Sequence, residues 1–164
     1  MKHLNKYPII LASGSPRRKQ LLEQIDLEFE VVPSQIYEDF SLNLSPTDFV
    51  EYYAQEKAKD VANSYPDKWV IGADTIVVFE SHILGKPKNE KDSFQMLKRL
   101  SGNTHQVITG VSIQNIKQDI SDSFHERTNV TFNTLSDNII NYYIETYAPF
   151  DKAGSYGIQD WFSV

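Results

Sequence analysis

The chain has 164 residues, a formal net charge of −6 and no cysteine. Its length suits a single domain with a sizeable hydrophobic core, which we expect to cover residues 1–164. The absence of cysteine excludes disulfides, thiolate metal sites and a cysteine nucleophile. The acidic balance argues against a broad nucleic-acid-binding surface, although cations concentrated in a cleft could still hold one small polyanion.

The sequence also argues against a membrane protein. No segment is apolar enough to span a bilayer, and the first ten residues lack the pattern of a secretory signal. We therefore expect a cytoplasmic protein whose partner is a small molecule rather than a membrane or a nucleic-acid polymer.

The first part of the chain alternates short strands with helices. Residues 8–12 form a buried-strand pattern, and Ser15 with the following proline predicts a helix over residues 16–24. That helix is expected to face the core through Leu21, Leu22 and Ile25. Residues 29–32 predict a second strand, followed by a loop over residues 34–44.

The same alternation continues to the end of the chain. A cap-then-proline pattern at Ser45 predicts a helix to Ala62, and residues 69–78 predict strand interrupted at Gly72-Ala73-Asp74. The remaining expected elements are a turn over residues 83–87, a helix from Asn89 to Leu100, an antiparallel pair over residues 106–116 and 121–132, and a helix from Ser136 to Tyr147. The pattern is typical of the α/β class.

The loop from Ser13 to Arg18 is a candidate phosphate-binding segment. Backbone N–H groups at a helix start favour anions, and Arg17 and Arg18 can each fork onto phosphate oxygens. The alternative, an ordinary capped helix with solvated arginines, is about equally consistent with the sequence.

Asp74 is a candidate catalytic or metal-binding residue. It lies between two apolar strand segments, where a carboxylate has to be paired, protonated or bound to a metal. Mg²⁺ or Mn²⁺ binding, activation of water and a structural turn all remain open on local sequence alone.

Other polar residues give weaker signals. Lys57 and Lys86 could each neutralise a phosphate charge or be ordinary surface lysines. The four histidines lack the spacing of a zinc site, and neither a Walker loop nor a Rossmann fingerprint is present.

Taken in order, several stretches resemble the Maf family of nucleotide pyrophosphatases, and the match covers nearly the whole chain. These stretches are Leu11-Ala12-Ser13-Gly14-Ser15-Pro16-Arg17-Arg18, Gln55-Glu56-Lys57-Ala58, Gly72-Ala73-Asp74-Thr75, Leu84-Gly85-Lys86-Pro87, Thr109-Gly110-Val111, Thr128-Asn129-Val130-Thr131-Phe132 and Asp151-Lys152-Ala153-Gly154-Ser155-Tyr156-Gly157-Ile158-Gln159.

The resemblance implies an α/β fold like that of the Maf and inosine triphosphate pyrophosphatase group, with a long mixed sheet flanked by helices and a cleft between two lobes. It also implies hydrolysis of a nucleoside triphosphate between the α and β phosphates, with a divalent cation, Mg²⁺ or Mn²⁺, as cofactor. A homodimer is implied in the same way.

The resemblance assigns roles to individual residues. Asp74 matches the proton acceptor and a metal ligand, and Glu38 is a second metal or water partner. The implied phosphate-binding residues are Ser13, Ser15, Arg18, Lys57, Lys86 and Lys152. Arg17, Thr75 and Gln159 resemble the dTTP/UTP type rather than the 7-methyl-GTP type, and a glutamine amide suits a uracil-like edge.

Family members usually continue beyond Gln159 with a glycine and a further strand, whereas this sequence reads on to Val164 and stops. We therefore expect the C-terminal strand region to be missing. Two alternatives remain open: a pyrophosphatase for modified nucleotides or 7-methyl-GTP, and a nucleotide-binding regulator linked to septum formation with little turnover.

Overall fold

The structure, a computed structural model, describes residues 4–158 and residue 160. In these residues six strands form one sheet and four α-helices accompany it, which confirms the α/β class. The strands are β1 (Ile9–Leu11), β2 (Glu30–Val31), β3 (Trp69–Phe79), β4 (His82–Leu84), β5 (Thr104–Asn115) and β6 (Ile120–Thr131). The helices are α1 (Pro16–Glu23), α2 (Pro46–Ala62), α3 (Glu90–Leu100) and α4 (Asp137–Tyr147). No helix in the described ranges is long and apolar enough to cross a membrane.

The sheet is mixed, with the strand order β2-β1-β3-β5-β6 and with β4 paired to β3. β1 runs parallel to both neighbours, so that Ile10 lies opposite Glu30 on one side and Val70 on the other. β4 is antiparallel to β3. β5 and β6 are neighbours joined only by residues 116–119, a connection too short for a parallel crossover, so the predicted hairpin is present.

The chain divides into two compact units, and β3, β5 and β6 each contribute to both. Unit 1 comprises Met1–Asp74 and Thr109–Glu126, and unit 2 comprises Thr75–Ile108 and Arg127–Val164. The sequence-based expectations of one domain and of a cleft between lobes remain predictions.

Unit 1 is organised around α2. Ser45 caps this helix by accepting a hydrogen bond from the Asp48 N–H at 3.2 Å, as the sequence predicts. One face of the helix is buried, and its small residues let it lie close to the sheet. The core cluster on this side consists of Ile10, Ala12, Ala58, Val61, Ala62 and Val70.

Unit 2 has a core of its own between α3, α4 and the sheet. The side chains of Asn89 and Ser136 cap the two helices as predicted. The buried cluster consists of Val77, Leu84, Leu97, Leu100, Ile140, Tyr143, Ile144 and Tyr156.

Two local predictions are wrong, and a third is wrong in part, because Ile83 and Leu84 of the predicted turn belong to β4. β3 runs without interruption through Gly72-Ala73-Asp74, because hydrogen bonding to its neighbours and packing against α2 outweigh the turn tendency of these residues. The helix α1 buries none of its residues, and Leu21 and Ile25 are 52% and 40% exposed. Leu27, beyond the end of α1, is the buried side chain of this segment instead.

A buried histidine in unit 2 links β5 to the C-terminal segment. His105 is 2% exposed, and its Nε2 lies 2.6 Å from the hydroxyl of Tyr156. The ring of Phe132 stands edge-on to the imidazole with centroids 5.0 Å apart. Burial lowers the pKa of His105 below its ordinary value of 6.5, so the folded protein keeps the ring neutral where the unfolded chain would protonate it.

This histidine predicts a pH dependence of folding stability. Below pH 6.5 the unfolded state binds more protons than the folded state, so the free energy of unfolding should fall as the pH falls toward the lowered pKa. One additional bound proton changes the free energy of unfolding by at most about 1.4 kcal/mol per pH unit. Urea unfolding of the wild type and of His105→Gln at pH 7.5, 6.5 and 5.5 should give a shallower slope for the variant. Equal slopes would contradict the prediction.

Candidate active site

The loop between β1 and α1 is organised by one hydroxyl group. Ser13 is 7% exposed, and its Oγ accepts hydrogen bonds from the Ser15 N–H at 3.3 Å and from Arg18 Nη1 at 3.0 Å. Ser15 occupies the N-cap position, but its side chain makes no capping bond. The predicted phosphate-binding segment is therefore a strand end whose buried serine fixes an arginine head group.

Asp74 lies in the middle of β3 and is 4% exposed. Its Oδ1 accepts a hydrogen bond from Lys57 Nζ at 2.7 Å. Its Oδ2 is buried and has no hydrogen-bond partner within the part of the chain that the structure describes. A buried carboxylate oxygen without a partner is costly unless it serves a ligand, a cation or a proton.

Gly72 explains how α2 comes close enough for this contact. A Cβ atom at position 72 would lie 2.3 Å from the carbonyl oxygen of Ala54 and 2.6 Å from the backbone nitrogen of Ala58. Only glycine allows this approach of helix and strand. Gly72 and Asp74 share one face of β3, because side chains alternate along a strand. The close approach at Gly72 thus places Lys57 beside Asp74.

Lys57 joins two carboxylates. Besides Asp74, its Nζ donates a hydrogen bond to Glu38 Oε1. The side chains of Lys57, Asp74 and Glu38 are 11%, 6% and 25% exposed, so the lysine has little access to water. Two carboxylates share this ammonium, and Arg18 adds a second positive charge near Asp74.

Glu38 belongs to the loop over residues 34–44. Residues before and after Glu38 tie this loop to α2. Before it, Ser34 Oγ donates to Asp60 Oδ2 at 2.9 Å. After it, the Asp39 N–H donates to the hydroxyl of Tyr53 at 2.6 Å, and the ring of Phe40 stacks on that of Phe49. These contacts hold Glu38 against Lys57 although its segment contains no strand or helix.

The pKa shifts reflect this arrangement. Burial raises the pKa of the Asp74 carboxyl above its ordinary value, while Lys57 acts to lower it. Burial lowers the pKa of Arg18, and the charge of Asp74 raises it. An arginine remains protonated because its ordinary pKa is above 12. The cluster therefore combines a carboxylate of increased basicity with two cations.

The carboxylate pair suits a hard divalent cation. Such ions bind oxygen atoms, and Mg²⁺ commonly takes only one or two carboxylates and completes its shell with water and substrate phosphate. The described residues contain no group of three or more side chains able to hold a metal. The unpartnered oxygen of Asp74 and the nearby Glu38 fit a cation that is shared with a substrate.

Unit 1 thus brings together Ser13, Arg18, Glu38, Lys57 and Asp74, with Arg18 and Asp74 close enough for their charges to interact. The remaining predicted residues have other surroundings. Arg17 and Thr75 are half-buried, and Lys86 is exposed after β4. Lys152 pairs with Asp160, and Gln159 lies outside the described residues.

The model of the family described as Maf-like protein matches residues 8–164 of the chain. The chain belongs to the Maf family. Relatives named dTTP/UTP pyrophosphatase include proteins of Bacillus mycoides strain KBAB4, 51% identical over 92% of this chain and 78% of its own length, and of Bacillus pumilus strain SAFR-032, 49% identical over 92% of this chain and 79% of its own length. A Bacillus cereus protein of strain ATCC 10987 with the same name is 52% identical over 94% of this chain and 75% of its own length.

Solved structures resemble this Maf chain in fold. The Ham1 protein of Staphylococcus aureus superposes with a TM-score of 0.52 at 18% identity, covering 79% of this chain and 72% of that one. A HAM1 protein from Coxiella burnetii gives a TM-score of 0.52 at 16% identity, covering 75% and 71%. The expected likeness to the inosine triphosphate pyrophosphatase group is thereby confirmed at the level of the fold.

Sequence reasoning missed two features of this Maf chain. The sequence pattern places Gly72 in an interruption of the strand, although a glycine inside a strand pattern also indicates close approach of another backbone. The pairing of Lys152 with Asp160 was not expected, because no helical or strand periodicity relates these two residues.

The helix–strand contact at Gly72 yields a prediction. Gly72→Ala should lower the free energy of unfolding by about 3 kcal/mol or more, since the new methyl group meets backbone atoms that cannot turn aside. Gly14→Ala is the matched control, because a Cβ there makes only ordinary contacts of 3.8 Å with Pro33. Urea unfolding measures both. A Gly72→Ala protein as stable as the control would show that α2 and β3 are not so close.

Proposed function

We propose that this Maf family chain hydrolyses nucleoside triphosphates between the α and β phosphates, with dTTP and UTP as preferred substrates. The observation that carries the proposal is the ammonium of Lys57 held between Asp74 and Glu38, with Arg18 close enough to Asp74 to influence its charge. The relatives named dTTP/UTP pyrophosphatase support the substrate class, since they are 49–52% identical to this chain.

Asp74 is proposed to act as the general base. Its buried carboxylate has a raised pKa, which strengthens it as a proton acceptor, and Oδ2 is directed to no other described group. The carboxylate takes a proton from water as the water oxygen bonds to the α-phosphorus. The bond from that phosphorus to the α–β bridging oxygen breaks, and pyrophosphate leaves with the electron pair.

The cations of the chain are proposed to hold the substrate. Phosphoryl transfer needs positioning and neutralisation of charge more than covalent work by the protein. Arg18 and Lys57 are the candidates in unit 1, with Ser13 and Ser15 contributing through the β1–α1 loop. Lys86 and Lys152 are proposed for the same task in unit 2.

A divalent cation, Mg²⁺ or Mn²⁺, is proposed as cofactor, with Asp74 and Glu38 as its protein ligands. When bound, the cation would neutralise phosphate charge and polarise the phosphorus centre. Substrate preference is assigned to Arg17, Thr75 and Gln159. The homodimer and the cytoplasmic location remain predictions from the sequence.

Replacing the proposed base gives a direct test. Asp74→Asn should reduce UTP turnover by roughly 100-fold or more, the usual contribution of a general base, while the folding transition is retained. Asp67→Asn is the matched control, because that carboxylate is 68% exposed and pairs with Lys117. Pyrophosphate release and circular dichroism are measured on both. Near wild-type turnover in Asp74→Asn would refute the assignment.

The proposed preference predicts an order of substrates. With Mg²⁺ present, pyrophosphate release from UTP and dTTP should be faster than from CTP and 7-methyl-GTP at equal concentration. Gln159→Ala should lower the ratio of the UTP rate to the CTP rate by about tenfold, because one good polar contact to a base contributes on that scale. Fastest turnover of 7-methyl-GTP would overturn the preference and favour the alternative substrate class.

A further inference from the structure

The segment from Lys152 to Asp160 is closed on itself by an ion pair. Lys152 Nζ lies 2.9 Å from Asp160 Oδ2, and the two side chains are only 11% and 17% exposed. Ion pairs on the open surface contribute little, because water competes for both partners. This pair is largely sheltered, so the carboxylate is a strong and persistent partner of the ammonium.

The carboxylate of Asp160 is held in place from unit 2's core. The hydroxyl of Tyr143, on α4, donates to the same Oδ2 at 2.5 Å. The Gly157 N–H in turn donates to this hydroxyl at 3.3 Å, and the Asp160 N–H donates to the Gly157 carbonyl at 3.0 Å. Tyr143 is fully buried, so Asp160 is attached to the core of the unit.

Gly157 lies within the closed segment and leaves the space that the pair requires. A Cβ at this position would come within 2.9 Å of Asp160 Oδ2 and 3.2 Å of Lys152 Cε. The absence of a side chain therefore lets both charged groups meet beside the backbone. The arrangement is a built contact between several groups and not an accidental approach of two surface side chains.

We propose that Asp160 is an affinity-determining residue that competes with phosphate for the ammonium of Lys152. The proposal rests on the proposed function, in which Lys152 binds a phosphate group of the substrate. The carboxylate oxygen takes one donor direction of the ammonium, as a phosphate oxygen would. Asp160 thereby weakens the binding of triphosphate and of the pyrophosphate product.

Two opposing effects decide whether Asp160 strengthens or weakens the binding of phosphate. Asp160 orients Lys152, which favours ligand binding, but it also places a negative charge near the incoming phosphate. Two oxygens on one ammonium lie roughly 5 Å apart, and in a sheltered site their repulsion is weakly screened. Repulsion between full charges at this separation exceeds the gain from ordering one side chain. Removing the charge of Asp160 should therefore tighten phosphate binding.

The test uses the full chain with Asp160→Asn, which keeps the shape of the side chain and one acceptor oxygen but removes the negative charge. Isothermal titration with inorganic pyrophosphate at fixed Mg²⁺ should give a Kd about tenfold lower than in the wild type. The KM for UTP should fall by a similar factor, with a smaller change in kcat. In a Lys152→Met background, Asp160→Asn should have no further effect on the pyrophosphate Kd.

An unchanged or weaker pyrophosphate affinity in folded Asp160→Asn would overturn the proposal, as would an equal gain in the Lys152→Met background. A lower melting temperature with an unchanged Kd would show a merely structural role. If Asp160→Asn does not fold, Asp160→Ser serves instead, because it also removes the negative charge and should tighten binding in the same direction. A wild type that binds pyrophosphate but hydrolyses no nucleotide would count against the proposed function and not against this competition.

Discussion

The burial of the Lys57 ammonium between two carboxylates is the constraint on which the candidate site depends. A charge this poorly solvated is stable only while its partners stay in place, and removing one partner of a buried pair costs roughly 3–5 kcal/mol. Because two carboxylates share the ammonium, replacing one of them by its amide weakens the cluster but leaves the other carboxylate paired with Lys57. In the same cluster, one buried carboxylate oxygen of Asp74 has no hydrogen-bond partner among the described residues.

The local structure of unit 1 meets this constraint in three ways. Gly72, Ala54 and Ala58 allow α2 to lie directly on β3, so that a lysine of the helix reaches a carboxylate of the strand. Contacts from Tyr53 and Phe49 tie the Glu38 loop to the same helix. Ser13 fixes the head group of Arg18 at the end of β1. The small residues allow close packing, the aromatic residues anchor the loop, and the serine hydroxyl accepts a hydrogen bond.

Much of the fold could be predicted from the sequence because its signals are local. Ser45, Asn89 and Ser136 are side chains that satisfy free N–H groups at helix starts, and each marks a helix that the structure contains. The errors arise where tertiary contacts decide. The turn tendency of Gly72-Ala73-Asp74 gives way to the sheet, and α1 presents Leu21 to solvent despite its apolar pattern.

The candidate site was predictable only in part for the same reason. Asp74 could be selected because a carboxylate within a buried strand demands a partner. The sequence does not identify that partner, because Lys57 belongs to another element and lysine is usually exposed. The link between Lys152 and Asp160 likewise depends on Tyr143 and Gly157, which meet only in the folded chain.

The uninterrupted course of β3 through Asp74 has a consequence for motion. Strand residues generally open only together with the core, whereas loop residues can open locally at small cost. Asp74 belongs to β3, and Glu38 belongs to a segment with no strand or helix. The strand therefore fixes Asp74, while Glu38 depends on the side-chain contacts that tie its loop to α2, so a local opening of this loop would move Glu38 away from Lys57 while Asp74 stays in place.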